Sequence, residues 1–148
     1  MAIDTVDRRA SAGNLLGLEL LPVADGAISQ DDRLHVAGFY RGISVLAAIT
    51  YLSMGDIFLF TSANWTPTPT WYFEVTMKAS SGTAKARLFN LTDSVEVADS
   101  GVNTANGTHT RVRSSAITLV DGKEYEAQFG TGSADSGEGR GAAIVGVI

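Results

Sequence analysis

From residue 71 onward, apolar and polar side chains alternate with a period of two, the period of a strand. Trp71, Phe73, Val75, Met77 and Ala79 share one parity, and Tyr72, Glu74, Thr76 and Lys78 the other. Tyr125, Ala127 and Phe129 alternate with Glu124, Glu126 and Gln128; Ala84, Ala86 and Leu88 alternate with Lys85, Arg87 and Phe89. Ile43, Val45, Ala47, Ile49 and Tyr51 form a further apolar parity, and Ala142 to Ile148 is apolar at both parities. Turn chemistry falls between the runs: Ser81-Gly82, Asn106-Gly107, Asp121-Gly122 and a glycine-rich stretch from Gly130 to Gly141. Asn-Gly and Asp-Gly between alternating runs are strong hairpin cues, because both residues tolerate positive φ. The pattern predicts strands at 43–52, 57–61, 71–79, 83–91, 94–98, 108–114, 117–120 with 123–130, and 141–148. So many short strands in about 100 residues predict an all-β fold, an antiparallel two-sheet sandwich of jelly-roll type.

Residues 1–43 lack this alternation. Asp4-x-x-Asp7 caps a short helical turn through Arg8, Arg9 and Ala10, which Gly13 stops. The apolar stretch Leu15-Leu16-Gly17-Leu18-Glu19-Leu20-Leu21 closes at Pro22, and Asp25-Gly26 supplies a turn. Ser29-x-x-Asp32 is a second capping signal, but Gly38 and Gly42 keep any helix after it short. The sequence therefore divides into an irregular, extended N-terminal arm with short helical turns (1–43) and a sandwich domain (44–148). The arm is too broken to bury a core of its own, so it is expected to pack on the domain or on a partner chain.

Composition narrows the function classes. The 148 residues include 16 acidic and 11 basic side chains and no cysteine, for a formal charge of −5. Lack of cysteine excludes disulfides, thiol catalysis and cysteine-ligated zinc. An acidic chain argues against binding a phosphate backbone, so no nucleic-acid partner is expected. No apolar run approaches the roughly 18 residues of a membrane helix, so no membrane partner is expected either. Met1-Ala2-Ile3-Asp4 shows no basic region followed by an apolar stretch, so no secretory signal is read there.

Catalytic, cofactor and metal signals are weak. His35 and His109 lie far apart, with no ligand spacing around either. Glu124, Glu126 and Gln128 share a strand face, as paired carboxylates do in sandwich glycosidases, yet a solvated face explains them equally well. Asp135 and Glu138, in the glycine-rich stretch, offer oxygens for calcium without the spacing of a known calcium loop. Asn64, Asn90 and Asn106 begin Asn-x-Thr sequons, read as incidental to a threonine-rich chain. No enzyme activity and no cofactor are expected. Trp65, in the loop Asn64-Trp65-Thr66-Pro67-Thr68-Pro69, reads as an exposed contact for a protein or a sugar. Arg111 and Arg113 share a strand face and offer a contact for acidic groups on a neighbour.

Residues 2–11, Ala2-Ile3-Asp4-Thr5-Val6-Asp7-Arg8-Arg9-Ala10-Ser11, resemble the opening of small structural proteins of tailed phages and prophages. In those, an Asp-Thr-x-x-Lys/Arg-Arg-x-Ser stretch precedes a Pro-x-x-Asp-Gly turn and then an Asp-Arg…Gly-x-Tyr-x-Gly-Ile segment. Pro22-Val23-Ala24-Asp25-Gly26, Asp32-Arg33 and Gly38-Phe39-Tyr40-Arg41-Gly42-Ile43 supply the later elements here. The remaining chain is similar in strand pattern to jelly-roll modules that decorate phage capsids or sit on fibres. The resemblance implies a virion protein made in the host cytoplasm. Its implied role is a capsid decoration or cement protein bridging neighbouring major capsid subunits. Its partners would be the major capsid protein and further copies of itself, as a homotrimer by the habit of capsid-decorating jelly rolls. Expected contacts are Arg8, Arg9, Leu15, Leu16, Leu18, Arg33, Phe39 and Tyr40 in the arm, with Trp65, Arg111 and Arg113 on the sandwich. The alternative is a carbohydrate- or receptor-binding module of a tail or head fibre.

Overall fold

Strand-forming alternation becomes two sheets in a computed structural model, which describes residues 33–39, 43–46 and 50–148. These residues belong to one unit, Arg33–Ile148. The described strands are β1 (Arg33–Phe39), β2 (Ile43–Leu46), β3 (Leu52–Leu59), β4 (Thr70–Ser81), β5 (Ala84–Asn90), β6 (Val95–Glu96), β7 (Val102–Thr104), β8 (Thr110–Ile117), β9 (Glu124–Thr131) and β10 (Ser136–Val147). A 3-10 turn over Ser62–Asn64 is the one helical element among the described residues. The first sheet runs β3-β9-β5, with β6 and β7 sharing the far edge of β5. In the second, β10 is central: β1 and β2 lie end to end along one side of it, and β4 then β8 follow on the other. All pairings are antiparallel, so the chain is the all-β two-sheet sandwich that its alternation predicts.

The core fills from the expected parities. Trp71, Phe73, Val75 and Met77 of β4 and Ile144 of β10 meet Ala86 and Leu88 of β5 and Tyr125, Ala127 and Phe129 of β9. Each large side chain so buried contributes roughly 1.5–3 kcal/mol, which fixes strand register because a one-residue slip would turn the whole set outward.

Three differences from the sequence reading have physical causes. Arg33–Phe39, read as the end of the arm, is a strand of the second sheet, and Phe39 is fully buried in the core rather than presented to a partner. Its pattern is interrupted at Ala37-Gly38, which hid the alternation. The predicted strand 43–52 is broken: β2 ends at Leu46 in the second sheet, and β3 begins at Leu52 in the first. The glycine-rich stretch is strand, not loop; only residues 132–135 connect β9 to β10. Glycine is needed inside β10 because the sheets approach closely there. A Cβ at Gly139 would lie 3.0 Å from the Phe129 ring and 3.3 Å from the Met54 methyl. The other strands shift by a few residues, and the stretch expected as a strand at 117–120 leads into the Asp121-Gly122 turn.

Candidate functional site

The first sheet's outer face carries an ordered strip of planar polar and aromatic side chains. Strand register sets it up: Ile57 of β3 stands opposite Glu126 of β9, which stands opposite Phe89 of β5 and then Glu96 of β6. One row along, Ser53, Gln128 and Arg87 align. Arg87 donates from Nε to Gln128 Oε1 at 2.8 Å and from Nη1 to Glu96 Oε2 at 3.3 Å. Gln128 in turn donates from Nε2 to Glu126 Oε1 at 2.7 Å. The Arg87 guanidinium also lies over two rings, Tyr51 at 4.0 Å and Phe89 at 4.9 Å. Tyr51 reaches this position because residue 130 on β9 is glycine. A Cβ there would meet the tyrosine ring at 3.3 Å. Burial, and then the Glu96 carboxylate, raise the Tyr51 hydroxyl above its ordinary pKa, with Arg87 opposing. Ile57 and Leu59 stand more than half exposed beside the strip.

The second sheet's outer face holds a different cluster. Glu74 of β4 is buried, and Arg111 and Arg113 of β8 each place a guanidinium nitrogen 3.3 Å from one of its oxygens. Arg113 also covers the Tyr72 ring at 4.7 Å. The arginine pair thus already has an acidic partner inside the chain, although Arg111 remains largely exposed.

Trp65 sits after the 3-10 turn, partly buried and packed on the core. Its ring meets Trp71 edge-on at 5.5 Å, and Trp71 meets Phe60 the same way at 5.5 Å. The indole Nε1 is buried with no hydrogen-bond partner. This loop is tied down by Asp121, whose Oδ1 accepts the Ser62 N–H at 2.6 Å; that bond holds the Asp121 carboxyl below its usual range.

The carboxylates considered for calcium go separate ways. Asp135 Oδ2 accepts the Thr83 N–H at 2.9 Å, closing the connection between β9 and β10. Glu138 lies 3.5 Å from Lys78 Nζ and 3.4 Å from His109 Nε2, the latter without hydrogen-bond geometry. Among the described residues no three His, Cys, Asp or Glu side chains gather to hold a metal. Glu124 is exposed, and its backbone N–H donates to Thr92 Oγ1 at 3.0 Å. Of the expected arm contacts, Arg8, Arg9, Leu15, Leu16, Leu18 and Tyr40 lie outside the described residues, and Arg33 is described only as the first residue of β1. His35 likewise is described only as a position in that strand. No helix among the described residues is long and apolar enough to cross a membrane.

Parity alone already grouped Glu126 with Gln128 and Arg87 with Phe89. What it could not give is that β5 and β9 are neighbours, so the two groups interlock into one strip.

No protein-family model matches the chain. No curated protein matches it either. Among solved structures it is similar to a carbohydrate-binding module, CBM36, in complex with calcium and xylotriose, at 21% identity and a TM-score of 0.50. The match covers 68% of this chain and 77% of that one, and it speaks to the shared sandwich fold.

Proposed function

We propose that the chain is a non-enzymatic structural protein of a phage particle, a decoration protein that bridges neighbouring major capsid subunits and stabilises the head. The observation that carries this reading is the character of the sandwich surface. Several of its charged groups pair with one another, as in Arg87 with Glu96 and Arg111 and Arg113 with Glu74, while Ile57 and Leu59 stand exposed on the first sheet. Such a surface suits contact by shape and area rather than chemistry. The succession of short N-terminal sequence pieces, from Asp4-Thr5 to Gly42-Ile43, supports the phage context of this proposal. Because β1 begins at Arg33, the tether in this proposal is residues 1–32. Two weak contacts joined by one chain raise avidity without new chemistry.

Densitometry of purified particles tests the reading. Copies comparable to the major capsid protein, and heads that lose heat resistance without the protein, are expected. A few copies per particle would overturn it. Removal of residues 1–32 should weaken attachment to undecorated heads.

A second reading, a carbohydrate- or receptor-binding module of a fibre, is favoured by the likeness to a sandwich solved with xylotriose. It expects few copies per particle and measurable glycan binding.

A further inference from the structure

We propose that the outer face of the first sheet is a binding site for a neutral oligosaccharide, which lies across Tyr51, Arg87, Gln128 and Glu126; this rests on the second reading above. On an ordinary solvated sheet face, long polar side chains are mobile and paired at most once. Here four of them form an unbroken chain, Glu126–Gln128–Arg87–Glu96, with hydrogen bonds of 2.7, 2.8 and 3.3 Å. The rotamer freedom that a ligand would otherwise have to freeze is therefore already lost, which is the meaning of a preorganised site.

The groups left over match hydroxyls. Gln128 engages only Oε1 of Glu126, and no cation among the described residues pairs with this carboxylate although it is about nine-tenths buried. Its second oxygen therefore has acceptor capacity for an incoming O–H. Arg87 spends Nε and Nη1 within the strip and retains further N–H donors. A vicinal diol both donates and accepts, so it complements a carboxylate and a guanidinium held one side chain apart. Ile57 offers an exposed aliphatic surface for the C–H face of a pyranose, beside the Tyr51 and Phe89 rings that Arg87 covers. Charge disfavours an anionic ligand: Arg87 offsets only one of the two carboxylates, Glu96 and Glu126, so the strip keeps one net negative charge.

The test is NMR titration of the full chain with xylotriose, cellotriose, maltotriose and N-acetylchitotriose. Saturable shifts are expected at the backbone amides of Arg87, Phe89, Glu126 and Gln128 with at least one of them. Glu126→Gln, which keeps the shape, and Arg87→Gln should each raise the dissociation constant at least tenfold, roughly what loss of one charge-assisted hydrogen bond does. Trp65→Ala should leave it within about twofold on the same scale. Shift mapping needs no variant, so the site can be judged even if a substitution unfolds the protein. Binding that maps to the Trp65 loop, or that survives both strip variants, overturns this site and leaves the second reading standing. Absence of saturable shifts with all four sugars overturns this site together with the carbohydrate half of the second reading.

Discussion

Replacing Ser100 with alanine isolates a single buried hydrogen bond whose loss the structure makes costly. One edge of β5 is covered by β7 at Ala84–Ala86 and by β6 at Phe89–Asn90, leaving Leu88 between two short strands. The gap is closed by the connection from β6 to β7. Ser100, fully buried, accepts the Leu88 N–H at 3.0 Å and donates to Leu88 O at 3.2 Å, while Val97 N–H also donates to that carbonyl at 3.0 Å. In Ser100→Ala the carbonyl keeps Val97 but the buried Leu88 N–H loses its acceptor. An orphaned buried donor costs about 1–3 kcal/mol. For a domain of this size each kcal/mol lowers Tm by roughly 3–5 °C, so a fall of about 6–10 °C is expected at the middle of that range. Urea unfolding followed by tryptophan fluorescence should give a lower midpoint and an unchanged slope, since the surface exposed on unfolding is the same. Ser53→Ala is the control. That hydroxyl only bridges Gly55 in its own strand, where change should stay within about 0.5 kcal/mol. If Ser100→Ala melts within about 2 °C of the parent, the Leu88 N–H is not paying the assigned penalty and the reasoning fails.

Acid should destabilise the fold through carboxylates that fold into bonded positions. Asp93, held low chiefly by its hydrogen bond from Lys123, and Asp121, held low by the Ser62 N–H, both have depressed folded pKa values. Their stabilisation is present above the unfolded carboxylate pKa of about 4 and disappears as pH falls through the folded value; a double Asp93→Asn, Asp121→Asn variant should flatten the acid limb of Tm against pH. Arg113→Ala should cost about 1 kcal/mol in urea, more than Arg111→Ala, because only Arg113 also covers Tyr72; equal costs would refute the stacking contribution. Trp65→Phe removes the unpartnered indole N–H and keeps an aromatic against Trp71, so stability should stay within about 0.5 kcal/mol or rise, whereas a loss above about 2 kcal/mol would show that the indole has a partner. At the alkaline end, burial raises Tyr125 above its ordinary pKa, so its contribution is full below about pH 10 and declines as pH rises through the folded value; Tyr125→Phe should remove that slope in a Tm–pH series.

The strands β4, β5 and β9 are readable in the sequence because apolar and polar side chains alternate along them, even though on β9 the polar Glu126 is itself buried. β10 was half readable. Its apolar second half is plain in the sequence, but the glycines of its first half, Gly137 close against the Lys78 carbonyl and Gly139 against the Phe129 ring, mimic a loop. β1 is obscured in the sequence because it continues from residues without alternation and is itself interrupted at Ala37-Gly38. At the candidate site, the residues were visible by parity and the site was not. Glu126 and Arg87 are joined through Gln128 only when strands 34 or more residues apart in sequence come to lie side by side, which no local pattern encodes. Trp65 shows the reverse case: a loop tryptophan between prolines reads as a free contact, yet the edge-on approach of Trp71 draws it onto the core.

The central place of β10 in the second sheet bears on how the molecule is made. Its register partners are residues 33–39 and 43–46 on one side and 70–81 on the other, so the widest gaps in sequence must be bridged before that layer exists. A nascent chain emitted only through β8 holds the flanking strands with the space between them empty, and their unsatisfied edges are open to wrong neighbours. Topologies of this kind fold in milliseconds to seconds rather than microseconds. During that interval a charged side chain on a flanking strand, such as Lys78 of β4, works against wrong pairing.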